Sequence, residues 1–170
     1  MITVLAVGKC TREVMIDICM TSRAFGASKV AFTIKEDRKV QNTLRKVSKE
    51  WGGKFSIAFN TDYMKMIGNS PNYKTVFLTQ YGVPVEKVKH SIRTYKNMTI
   101  VVALSSKYTQ KLMEVADFNV SITTQPHSST SAIAVFLNTY FNGRENAIQF
   151  ENATTKIMPA ERGIHIQRRE

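Results

Sequence analysis

Six short apolar runs, each followed by residues at helical spacing, constrain this chain more than any other feature. Ile2–Val7, Lys29–Ile34, Lys54–Phe59, Thr75–Thr79, Thr99–Ala103 and Phe118–Ile122 have the length and the β-branched or aromatic content of strands. Helical patterns fill the intervals. Residues 16–23 run on to Gly26, and Val40, Leu44, Val47 and Trp51 repeat behind Asp37 until Gly52 and Gly53. Pro84 suits the first turn of a helix with Val85, Val88 and Ile92 inside, and residues 128–141 read as a long apolar helix. Such alternation predicts an α/β fold, one mostly parallel sheet with helices on both faces. It covers residues 1–152 as a single domain. Beyond it, Ala153–Met158 reads as an edge strand and residues 159–170 as a basic tail.

Open parallel sheets bind ligands beyond the carboxyl ends of their strands. Three such ends carry polar turns here, at residues 77–82, 101–107 and 120–127, and the reading requires them to converge. Ser128 or Ser129 is expected to cap the last helix, whose N-terminus would otherwise favour an anion. His90, His127 and His165 are scattered without metal-ligand spacing, so no metal site is predicted, and no phosphate-binding or nucleophile-elbow glycine motif occurs.

The chain has 24 Lys and Arg against 13 Asp and Glu, a formal charge of +11. That excess favours polyanions, nucleic acid first and an anionic membrane surface second, with a solubilising or thermal-adaptation charge as the plainer alternative. Candidate RNA contacts are Lys9, Arg12, Arg23, Arg38, Lys39, Arg45, Lys46, Arg162, Arg168 and Arg169. Two cysteines without a C-x-x-C pair fit a reducing compartment. The first apolar run is short for a signal segment, and no stretch approaches the ~20 apolar residues of a membrane span. A cytoplasmic protein without membrane association is the expectation.

Fragments distributed from the first strand to the tail carry a resemblance. Residues 21–27 (TSRAFGA), 51–53 (WGG), Leu78-Thr79 with Tyr81-Gly82, 116–120 (ADFNV), 125–128 (QPHS), 134–137 (AVFL), and Pro159 with 161–163 (ERG) resemble the archaeal tRNA cytidine 2′-O-methyltransferase family of the SPOUT superfamily. The resemblance implies a trefoil knot in the C-terminal part of the fold, a homodimer, and S-adenosylmethionine held by the knot loops. By position, the cofactor pocket would involve Leu78, Thr79 and Gly82, then Leu104, Ser105 and Lys107, then Ile122, Thr123, Thr124, Gln125 and Ser128. An arginine in the turn after the first strand would reach the ribose, and Arg12 is the candidate for this catalytic role.

The sequence departs from the family pattern at demanding places. The arginine turn is contracted to residues 8–13, Leu104 stands where the family has glycine, Thr123-Thr124 stands for Gly-Asn, and Ser129 replaces an acid. Threonine resists the positive φ that glycine accepts, and Leu104 would intrude on cofactor space. The reading that follows is a SPOUT-fold protein with methyl transfer lost or weakened and no cofactor retained. It would bind structured RNA, tRNA or ribosomal RNA, as a component of the ribosome or another ribonucleoprotein. The alternative is an active S-adenosylmethionine-dependent tRNA (cytidine-2′-O)-methyltransferase. A dimeric protein-interaction module without RNA is the third class.

Overall fold

A computed structural model describes residues 1–67 and 73–169. Their order is β1 (Ile2–Val7), α1 (Arg12–Ala24), β2 (Lys29–Phe32), α2 (Arg38–Trp51), β3 (Ser56–Ala58), α3 (Tyr63–Met66) and β4 (Lys74–Pro84). There follow α4 (Val85–Ile92), β5 (Met98–Ala103), α5 (Thr109–Val115), β6 (Phe118–Ser121), α6 (Ser129–Phe141), β7 (Thr155–Ile157) and β8 (Ile166–Arg168). Strands β1 to β6 form one sheet in the order β3-β2-β1-β5-β4-β6, with every pairing parallel.

The period-two rule of strands divides the core into two layers. Along β1, Ile2, Val4 and Ala6 enter one apolar cluster while Leu5 and Val7 enter the other. β5 repeats the division with Met98, Ile100 and Val102 against Val101. The first cluster is closed by Ile18 of α1, Leu44 of α2, Ile92 of α4, and Ile133 and Phe136 of α6. The second is closed by Leu112 of α5 and by Ile67 just past α3. Helices thus cover both faces, as the sequence predicts, and β5, from the run Thr99–Ala103, lies inside the sheet between β1 and β4.

Local chemistry sets the helix ends. Asp37 caps α2 by accepting from the N–H groups of Lys39 and Val40 at 2.9 and 3.2 Å, and Gly52 ends it at φ 72°. Ser128 caps α6 by accepting from the Ser131 N–H at 3.0 Å. Asn142 and Gly143, both left-handed, stop that helix.

Two expectations change. β4 continues past Thr79 to Pro84, because its second half pairs with β6 after an irregularity. The anticipated edge strand does not join the sheet. β7 instead pairs antiparallel with β8, Thr155 opposite Arg168 and Ile157 opposite Ile166, so the tail is a hairpin. The tail supplies its own partner strand, and the hairpin is held beneath α2 by Thr154 N–H donating to Glu50 O at 3.0 Å. Glu170 lies outside the described residues.

Candidate functional site

The carboxyl ends of β4 and β5 and the start of α6 meet around a cavity of about 280 Å³. β4 contributes Leu78, Thr79, Gln80 and Tyr81; β5 and the turn after it contribute Val102, Ala103, Ser106 and Thr109. The approach to α6 contributes Pro126, His127, Ser129 and Ala132. The three polar turns therefore converge. The cavity sits near the lower end of the ~300–1,000 Å³ typical of small-molecule sites. Its lining sets apolar Phe77, Leu78, Val102, Ala103 and Ala132 beside the hydroxyls of Thr79, Ser106, Thr109 and Ser129.

A break in strand register builds one wall. Leu78 pairs with Val120, and so does Val83, which leaves residues 79–82 looped out of the ladder. Gly82 permits the loop to close: a Cβ there would lie 2.5 Å from Val120 N and 2.6 Å from the carbonyl carbon and oxygen of Asn119. Its role is close backbone approach, since its φ is not among the positive ones. Gly82, expected in the cofactor wall, is absent from the cavity lining and holds two strands together instead. Tyr81, at the crest of the loop, is 67% exposed.

Of the predicted pocket positions, Leu78 and Thr79 line the cavity; Gly82, Leu104, Ser105, Lys107, Gln125 and Ser128 adjoin lining residues in sequence, and Ile122, Thr123 and Thr124 do not. Leu104 is the clearest correction. Its N–H donates to Val7 O at 2.8 Å, and its side chain packs with the main apolar cluster, against the turn at Gly8. The isobutyl group does not enter the cavity. Thr123 and Thr124 take no positive φ, and Thr123 Oγ1 accepts from the Gln125 N–H at 3.2 Å, a local turn that β-branched residues adopt without strain. Ser128 is engaged in capping, with Ser131 Oγ at 2.8 Å from its hydroxyl.

Arg12 opens α1 above β1 and its Nε donates to Asp37 Oδ2 at 2.9 Å. This guanidinium is outside the cavity lining. Burial raises the Asp37 carboxyl pKa, but the Val40 N–H, the Arg12 guanidinium and the Lys39 N–H outweigh it and hold the group below its ordinary value. Asp37 therefore stays ionised as both helix cap and anchor for Arg12. Burial, with Cys10 nearby, pushes the Cys19 thiol up to about 12, and burial raises Cys10 as well, so neither is a nucleophile at neutral pH. Among the described residues no group of three or more His, Cys, Asp or Glu side chains could hold a metal ion.

The family model described as "tRNA ribose 2'-O-methyltransferase, aTrm56" matches residues 51–167. The chain belongs to this family. A tRNA (cytidine(56)-2'-O)-methyltransferase of Methanobrevibacter smithii is 35% identical over 162 residues, 94% of this chain and 89% of the relative. One from Sulfurisphaera tokodaii is also 35% identical over 162 residues, covering 94% and 95%. Among solved structures, the SpoU methyltransferase AviRb from Streptomyces viridochromogenes, in complex with the cofactor AdoMet, has a TM-score of 0.62 at 13% identity, covering 85% of this chain and 60% of that one. The TrmH/SpoU tRNA modifying enzyme of A. aeolicus gives 0.58 at 16% identity, with 86% and 76% covered. The sheet and its helices are those of SPOUT methyltransferases.

Within this tRNA 2'-O-methyltransferase family member, the basic residues divide. Lys9, Arg38, Lys39, Arg45, Lys46, Arg162, Arg168 and Arg169 are exposed. Arg23 is not a surface cation. It is 7% exposed, donates to Gly52 O, and lies 4.4 Å from the centroid of the Phe150 ring. Its place beside the buried positions Met15, Ile18, Cys19 and Ser22 is the sequence signal that could have identified it. His127 and Ser129 lie in the segment the sequence had singled out, whereas the Arg12 contact of Asp37 and the lining position Thr109 had no comparable signal. No helix among the described residues is long and apolar enough to cross a membrane.

Proposed function

We propose that the chain is an S-adenosylmethionine-dependent tRNA ribose 2'-O-methyltransferase with a cytidine as its target. The observation that carries the reading is the open cavity at the strand ends, which the two substitutions expected to close it leave free. The expectation of an inactive, cofactor-free protein rested on those substitutions and on the contracted turn after β1, and Leu104 and Thr123-Thr124 no longer support it. When bound, S-adenosylmethionine would supply an electrophilic methyl group to the ribose 2'-oxygen, with sulfur keeping the S–C electron pair and the hydroxyl proton passing to water. Leu78, Val102 and Ala132 offer apolar surface to a purine, while Thr79, Ser106, Thr109 and Ser129 offer hydroxyls to its polar groups. The first-turn N–H groups of α6 suit a carboxylate. Arg12, held at Nε by Asp37, keeps its terminal nitrogens for the RNA.

The trefoil knot and the homodimer implied by the resemblance belong to the same proposal. The first accords with the place of β6, which pairs with β4 and not with its sequence neighbour β5. Exposed apolar Met20 and Val135, on the mutually packed α1 and α6, support the second. Incubation with labelled S-adenosylmethionine and purified tRNA, followed by nucleoside analysis, is expected to yield 2'-O-methylcytidine. Absence of both cofactor binding at millimolar ligand and label transfer to tRNA would remove the reading. The binding-only alternative is favoured by one observation, the engagement of Arg12 outside the cavity, and predicts retained tRNA binding without transfer.

A further inference from the structure

We propose that the outer face of α2, continued by the β7–β8 hairpin, is a track for the sugar-phosphate backbone of structured RNA. The track runs from the cavity end of the sheet to the opposite end. It rests on the RNA-modifying reading above, and it assigns the surface that reading leaves open.

α2 follows β2 and returns to the start of the parallel β3, so it descends the full height of the sheet. Its 14 residues span about 21 Å at 1.5 Å per residue. Arg38, Asn42, Arg45 and Lys49 recur at intervals of three and four and share one face, with Lys39 and Lys46 beside them. All six are exposed, and none of the five cations joins an ion pair among the described residues. Like charges at such spacing repel one another along a helix. A helix that merely needed solubility would intersperse acids, and the one acid in α2 is Glu50.

Glu50 faces the hairpin. Its carbonyl accepts from the Thr154 N–H at 3.0 Å and its carboxylate lies 3.5 Å from Thr155 Oγ1. The Arg169 N–H donates to Thr154 O at 2.7 Å, which sets exposed Arg168 and Arg169 beside the foot of α2. At the head of the helix, Asp37 is occupied by Arg12 and by the cap. Asp37 and Glu50 are thus committed elsewhere, which leaves Glu36 as one acid at the head of the helix against five cations, and the row is left for a polyanion. A row this long fits successive phosphates of one RNA strand, and a small anion would use only part of it.

The test measures binding of the full chain to unfractionated tRNA by fluorescence anisotropy between 50 and 200 mM salt. One variant carries Arg38→Gln, Arg45→Gln and Lys49→Gln; a second carries Arg168→Gln and Arg169→Gln. Removing three phosphate contacts is expected to weaken binding at least about 10-fold at 100 mM salt and to make the log–log salt slope shallower by about 2–3. The hairpin variant is expected to change it in the same direction by about 1–2. Calorimetric binding of S-adenosylmethionine and the melting temperature are expected to match the wild type, which separates the track from the cavity. Unchanged tRNA affinity and slope in both variants overturns the proposal, as does wild-type binding to phosphatidylserine vesicles with none to tRNA. If tRNA follows the track while no form of the protein binds S-adenosylmethionine, the track stands and the methyltransferase reading falls.

Discussion

Gly82→Ala is the most demanding perturbation of the site, because fold and cavity meet at that residue. The added Cβ would lie 2.5 Å from Val120 N and 2.6 Å from Asn119 C and O, all backbone atoms. Ordinary contact needs about 3.5 Å, so β4 and β6 would have to part by about 1 Å. Overpacking of that kind costs about 1–3 kcal/mol. A hydrogen bond stretched by 1 Å is lost, at about 0.5–1.5 kcal/mol each, and the pairings Val83 with Val120 and Pro84 with Ser121 lie next to the wedge. Together these give about 2–5 kcal/mol, or a melting temperature lower by about 5–15 °C for a chain of this size. The segment after Ser121 forms the approach to the cavity, so S-adenosylmethionine affinity should fall as well. Gly143→Ala is the control: its nearest non-neighbouring atom is Asn146 Nδ2 at 3.8 Å, so only the strain of φ 77° operates. That strain costs about 1–2 kcal/mol and should leave cofactor affinity unchanged. A Gly82→Ala protein that melts within about 2 °C of wild type and keeps its cofactor affinity would refute the close-crossing argument.

Three further outcomes follow from the contacts. Leu104→Gly, which restores the family glycine, is expected to give no gain in S-adenosylmethionine affinity by calorimetry and to cost about 1–3 kcal/mol in denaturant unfolding, because the half-buried side chain packs against the core; a tenfold affinity gain would place it back in the pocket. Arg23→Ala should lower stability by about 2–4 kcal/mol through the lost donation to Gly52 O and the lost Phe150 contact, with tRNA affinity of the folded protein unchanged. The Asp37 carboxyl is held below the ordinary aspartate value, so its contribution to stability is fully present above that value and disappears as pH falls through the lower folded-state value. Asp37→Asn retains a cap acceptor but does not titrate, so the wild-type advantage in melting temperature should be flat near neutrality and vanish in strong acid; an advantage that persists in strong acid would contradict this origin.

How legible the molecule was in its sequence depends on the range of the forces involved. Period-two and helical spacing are local, and they located the six sheet strands and the helices that cover them. The placement of β6 beside β4 is not local. It depends on a four-residue loop out of register and on a single glycine without room for a Cβ. The tail misled because Ala153–Met158 has the composition of a strand, while its partner at Ile166–Arg168 is short and flanked by charge. For the cavity, sequence found the three segments; Leu78 and Thr79 line it, while the third segment was placed up to four residues ahead of the lining that begins at Pro126. Which side of a turn faces a ligand is set by hydrogen bonds such as Leu104 N–H to Val7 O, which no residue pattern encodes.

The contracted turn after β1 was one of the sequence arguments against catalysis, and the structure changes its meaning. A shorter turn brings Arg12 to the head of α1, where Thr11 caps the helix and Asp37 of the neighbouring element receives Nε. One carboxylate therefore fixes the arginine and starts the helix that bears the unpaired cations. A long arginine-rich loop would lose conformational entropy when RNA ordered it. A guanidinium tied through Nε at 2.9 Å has already lost much of that freedom, while its two terminal nitrogens keep their donors. Fewer arginines on a shorter, anchored turn can then do the work of a longer one, provided the RNA is delivered along α2, whose first turn and Arg12 share the same anchor.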